Sequence, residues 1–108
     1  MTAGAEAVAR VSDLPVGSLR TVTTSRGERI CLANHDGDIH AVAAVCSHQQ
    51  YELEEGTILP GARLECAWHG AQFDLRTGAP LRHPALDPIA VFEVTLRDGM
   101  VCVGERRP

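Results

Sequence analysis

This sequence predicts an all-β protein, an antiparallel sandwich or barrel, and three observations carry that prediction. Short apolar or alternating stretches rich in Val, Ile, Leu and Thr recur along it, separated by turn signals every ~8–12 residues. Two Asp-Gly pairs, Asp36-Gly37 and Asp98-Gly99, stand between such stretches, and Asp-Gly is a favoured two-residue hairpin turn. Only residues 51–55 offer a turn of helix. Many short antiparallel strands imply two packed sheets or a closed one.

The elements follow in order. Residues 18–24 form a strand that feeds, through Ser25-Arg26-Gly27, a hairpin of residues 29–34 and 38–43 about Asp36-Gly37. Residues 57–59, 64–65 and 71–74 make shorter strands, and residues 91–97 and 100–103 form a second hairpin about Asp98-Gly99. No repeat or low-complexity linker intervenes, so one domain spanning 1–108 is expected, long enough to build its own core.

Composition narrows the function classes. Hydrophobic residues make up 44% and charged residues 22% of the chain, ordinary values for a globular protein. No apolar run approaches the ~20 residues of a membrane-crossing helix, and residues 1–6 lack the basic and apolar regions of a signal peptide. A cytoplasmic protein with reduced thiols is expected, with no membrane partner. Net charge is −4 and all ten basic residues are arginine. No basic face for nucleic acid is evident.

The chemistry lies in Cys46-Ser47-His48 and, after 17 intervening residues, Cys66-Ala67-Trp68-His69-Gly70. Each station offers one thiolate and one imidazole. In a chain with reduced thiols such spacing points to metal rather than to disulfides. A [2Fe–2S] cluster whose irons are ligated differently, by sulfur on one and by histidine on the other, takes this donor set. The other cysteines, Cys31 and Cys102, sit within apolar strand patterns and read as small core residues. His35 falls at a hairpin turn and His40 in a strand, both as structural or surface residues, and Glu52, Glu54 and Glu55 form an acidic run after the first station.

Cys46-x-His48 with Cys66-x-x-His69-Gly70 resembles the signature of the Rieske iron–sulfur family, closest to the small ferredoxins that serve aromatic-ring-hydroxylating dioxygenases. The likeness runs from Val8 to Val103. It implies a Rieske-like antiparallel β-sandwich carrying a small cluster-binding subdomain, about residues 44–83, formed by two ligand loops. It also implies one [2Fe–2S] cluster held by Cys46, His48, Cys66 and His69, the histidines through Nδ1. A third loop, residues 78–84 with Pro80 and Pro84, resembles the one that covers the cluster in relatives; His83 in it is a candidate docking residue, and Trp68 is expected to pack over the cluster.

The implied function is electron carriage from an NAD(P)H-dependent ferredoxin reductase to a terminal oxygenase, by transient docking at the cluster end. The carrier would have no small-molecule substrate and no catalytic residue of its own, since 108 residues leave no room for the oxygenase's iron domain. Two alternatives stand beside it. The small subunit of an assimilatory nitrite reductase has a similar fold, although many lack the ligands. A structural zinc module also takes two Cys and two His, but usually as Cys-x₂₋₄-Cys and His-x₃₋₅-His.

Departures from the resemblance bear on potential. High-potential Rieske proteins carry an extra Cys in each ligand loop, where this chain has Tyr51 and Trp68, and hydroxyls after the last ligand, where it has Ala71 and Phe73. Losing two hydrogen bonds to charged sulfur, at roughly 1.5–3 kcal/mol each, lowers the potential by the order of 100 mV. A redox titration is therefore expected to give a value near the bottom of the Rieske range, about −150 mV; a value above about +100 mV would contradict the reading.

Overall fold

Alternation and turn chemistry resolve into two antiparallel sheets. The computed structural model describes residues 5–47, 51–67, 70–82 and 87–107, and among these there are ten strands and no α-helix. The strands are β1 (Glu6–Arg10), β2 (Leu19–Thr23), β3 (Arg29–His35), β4 (Asp38–Ala43), β5 (Thr57–Leu59), β6 (Arg63–Glu65), β7 (Gln72–Asp74), β8 (Pro80–Arg82), β9 (Val91–Arg97) and β10 (Met100–Arg106). The large sheet runs β1-β10-β9-β4-β3-β2 and the small one β5-β6-β7-β8. All four small-sheet strands fall inside the expected 44–83 segment.

Both Asp-Gly turns form as expected. Asp36 and Gly37 have φ of 52° and 99°, Asp98 and Gly99 52° and 76°, the paired positive values of the turn whose twist suits a hairpin. The large sheet curls until its edge strands meet: the Glu6 carboxylate on β1 accepts from the Ser25 N–H and hydroxyl, each at 2.9 Å, beside the β2–β3 turn. That linkage shields two strand edges.

Strand β3 is buried on both faces. Ile30 and Leu32 enter one apolar cluster with Leu14, Phe92, Val101 and Val103. Cys31 and Ala33 enter the other with Val42, Leu53, Leu64, Phe73 and Leu75. The second cluster joins the two sheets, so the small sheet rests on the large one through β3 and β4.

Four findings differ from the sequence reading. Strand β1, absent from it, is an edge strand with only one fully buried residue, Ala9, too weak a pattern to announce itself. Residues 80–82 are not loop: they pair with β7 as edge strand β8, Phe73 opposite Pro80, a position where proline's missing N–H costs no ladder bond. Strand β10 continues past residue 103 to Arg106, with a register shift after Val103. Cys102 is half-buried rather than core. The helical turn within 51–55 is a 3-10 turn, Leu53–Glu55.

Gly78 packs where the small sheet meets the segment leading to β9. Its φ is +79°, and an added Cβ would lie 2.0 Å from the Ile89 carbonyl oxygen. Gly99 has a similar φ, +76°, with nothing within 4 Å. Gly99→Ala is expected to cost about 1–2 kcal/mol from the backbone alone. Gly78→Ala, which adds a backbone clash, should cost roughly 3 kcal/mol or more; denaturant unfolding of the two variants measures the difference.

Candidate metal centre

The two stations singled out by the sequence are built alike. The Cys46 N–H donates to the Tyr51 carbonyl at 2.9 Å, and the Cys66 N–H donates to the Ala71 carbonyl at 2.7 Å. Among the described residues each cysteine is thus the last one paired in its hairpin, and the intervening sequence, 47–50 or 67–70, carries a histidine. Below the first hairpin Val45 bridges Glu52 and the Leu53 N–H donates to Ala44. Below the second, Glu65 pairs with Gln72 across β6 and β7.

Strand alternation decides where the thiols lie. Ala44 and Cys46 share one face, as do Leu64 and Cys66, and all four are buried. Cys46 is 4% and Cys66 1% exposed, and both belong to the apolar cluster joining the sheets. Dry surroundings keep water off sulfur. His48 and His69, the other two candidate ligands, lie outside the described residues, as do Trp68, His83 and Pro84.

Polar contacts fix the hairpins from outside. Arg29 on β3 donates through both terminal nitrogens to the Glu52 carboxylate, one bond at 2.9 Å. Hydrogen bonding to Arg29 holds the Glu52 carboxyl below the usual carboxylate range, so the clamp persists at neutral pH and loosens only in acid. The Ser47 hydroxyl donates to the Asp87 carbonyl at 2.7 Å, tying the first loop to the segment after β8. On the small sheet's outer face, Gln72 Nε2 donates to Glu65 at 3.0 Å, and Arg63 donates to Gln72 Oε1 at 3.1 Å. Sequence reasoning missed this network, because its members become neighbours only through strand register.

Of the histidines expected to be structural or surface residues, His35 has a structural contact. His35 Nε2 accepts the Ala62 N–H at 3.2 Å, linking the end of β3 to the β5–β6 turn. His40 lies on β4, where burial pushes its imidazole below the usual range. Among the described residues no helix is long and apolar enough to cross a membrane.

Comparison with known proteins bears directly on these hairpins. The family described as Rieske [2Fe-2S] domain matches residues 5–93. The 3-phenylpropionate/cinnamic acid dioxygenase ferredoxin subunit of Photorhabdus laumondii is 38% identical over 96 residues, 89% of this chain and 90% of that one. A chain of the complex of reduced oxygenase and oxidized ferredoxin in carbazole 1,9a-dioxygenase is similar in structure, with a TM-score of 0.85, 32% identity and 94% of each chain covered. A protein assigned as an NADH-dependent nitrite reductase small subunit, from Mycobacterium tuberculosis, has a TM-score of 0.83 over 96% of this chain and 95% of that one, at 20% identity. That last likeness is one of fold alone.

Cys31 offers a pH test of the shared core. Burial pushes its thiol up to about 12 from 9.0. Above pH 9.0 the unfolded thiol ionises while the folded one stays protonated. The unfolded state then binds fewer protons, so stability falls as pH rises, by about 1.4 kcal/mol per unit. Between about pH 8 and about pH 10.5 the protein is expected to lose about 2 kcal/mol more than its Cys31→Ala variant, read by urea unfolding.

Proposed function

This chain belongs to the Rieske [2Fe–2S] family, and we propose that it is the ferredoxin component of an aromatic-ring-hydroxylating dioxygenase system. It accepts one electron at a time from an NAD(P)H-dependent reductase and delivers it to a terminal oxygenase, working as a single domain in the cytoplasm. The observation that carries this reading is near-full-length likeness to a dioxygenase ferredoxin subunit. The likeness to a chain of an oxygenase–ferredoxin complex supports the oxygenase as partner. The nitrite reductase alternative rests on likeness of fold at 20% identity and is the weaker one.

In this reading Cys46 and Cys66 ligate one iron of a single cluster, and His48 and His69 ligate the other. The donor set fits: two thiols, both dry, project from two hairpins rooted in one apolar cluster. When bound, the cluster supplies a one-electron couple. The chain does the rest. The Cys46 and Cys66 backbone bonds fix the face that each sulfur takes, and burial keeps water from them. Ala71 and Phe73 offer no hydroxyl, which leaves the charge on sulfur less stabilised and the potential low. Exposed Tyr51 and Leu81 flank the hairpins and give a transiently docked partner apolar surface to cover.

Protein prepared without oxygen is expected to be brown, to contain iron and acid-labile sulfide in equal amounts, and to bleach on reduction. Each of Cys46→Ser, His48→Ala, Cys66→Ser and His69→Ala should abolish the visible bands. A colourless protein binding zinc, or a reduced-state paramagnetic spectrum of all-thiolate type, would overturn the proposal.

A further inference from the structure

We infer that Glu65 is a potential-setting residue: its carboxylate, anchored against the second ligand hairpin, holds the centre's reduction potential down. The inference rests on the function proposed above and goes beyond the ligands to a charge that acts on them. Glu65 ends β6 and immediately precedes Cys66. Because Leu64 and Cys66 face the core, Glu65 faces outward onto the small sheet's polar side.

There it is anchored rather than free to swing. Gln72, its partner across the strands, donates from Nε2 to Glu65 Oε2 at 3.0 Å. Gln72 is itself 7% exposed and held through Oε1 by Arg63. The same carboxylate oxygen would lie 3.7 Å from a Cβ placed on Gly70. The residue that immediately precedes Cys66 thus places a negative oxygen against Gly70, which follows His69 in sequence.

Among the described residues compensation is incomplete. Arg82, opposite Gln72 on β8, approaches that oxygen only to 3.8 Å, an ion pair longer than a hydrogen bond. At the first hairpin the corresponding carboxylate, Glu52, is matched by two hydrogen bonds from Arg29. A fixed negative charge near the centre opposes an added electron, and a fixed positive charge favours it. Glu65 and Arg82 therefore pull the potential in opposite directions.

The test is a spectroelectrochemical titration of the cluster-loaded protein and three variants. Glu65→Gln keeps the side-chain shape and an oxygen to accept from Gln72. It is expected to raise the potential by about a tenfold change in equilibrium, ~59 mV for one electron. Arg82→Gln is expected to lower it. Glu55→Gln, an exposed carboxylate on the 3-10 turn, should leave it unchanged. Loosening of the hairpin would move both of the first two variants the same way, so the opposed signs separate charge from structure. No rise in Glu65→Gln, or a rise in Arg82→Gln, overturns the inference alone. Absence of iron–sulfur bands from the unmodified protein overturns the functional reading and takes this inference with it.

Discussion

Two backbone hydrogen bonds, from Cys46 N–H to Tyr51 C=O and from Cys66 N–H to Ala71 C=O, are the constraint on which the rest of the site depends. Each makes a cysteine the last residue of a ladder, and a ladder residue has no choice of face. Alternation then sends both thiols to the side on which Ala44 and Leu64 are already buried. Moving either strand by one residue would turn its sulfur to solvent and bring its outward-facing neighbours, Val45 and Ser47 in the first hairpin or Glu65 in the second, toward the core. Register, more than any single contact, is what brings two thiols from distant parts of the chain into one apolar cluster.

That register is held by a platform with little freedom. Strand β3 is dry on both sides, with Ile30 and Leu32 in one cluster and Cys31 and Ala33 in the other. Sliding β3 by one residue would swap the two sets, forcing Ile30 and Leu32 into space packed for Cys31 and Ala33, so the unequal sizes of the two faces fix its placement. Leu53, directly after the first hairpin, and Phe73, directly after the second, are fully buried in the same cluster as Cys31. A large-to-small change at such sites in a protein core typically costs about 2–5 kcal/mol. The loops thus stand on rigid roots, the arrangement by which an irregular segment can present a centre without wandering.

What the sequence disclosed and what it withheld follow from the range of the interactions involved. The Asp-Gly hairpins are local: two residues set both the turn and the register, and β3, β4 and β9 emerge with nearly the expected bounds. The ligand stations are local too, since each is a few adjacent residues. Strands β1 and β8 are different. Glu6–Arg10 gains its place from pairing with β10 and from a carboxylate reaching Ser25; Pro80–Arg82 gains its place from an exposed edge of β7. β10 and Ser25 are far from β1 in sequence, whereas residues 80–82, close to β7, open on a proline and carry no alternating apolar pattern to mark a strand. The Arg63–Gln72–Glu65–Arg82 network is hidden too, as it exists only once three strands are aligned.

The acidic run after the first station shows how the same residues can be read twice. As sequence, Glu52, Glu54 and Glu55 are one patch of like charge suited to steering a basic partner. In the fold they divide. Glu52 is turned to Arg29 and spends its charge holding the first hairpin to β3, while Glu54 and Glu55 lie exposed on the 3-10 turn beyond it. At the small sheet's other end, Arg76, Arg106 and Arg107 rim a cleft of about 270 Å³ floored by Ile89 and Val91. Two exposed carboxylates after the first hairpin and three guanidiniums around this cleft therefore occupy different parts of the fold, within a net charge of −4. Exposed charges of opposite sign at separate places bias how an approaching charged partner is met before contact forms.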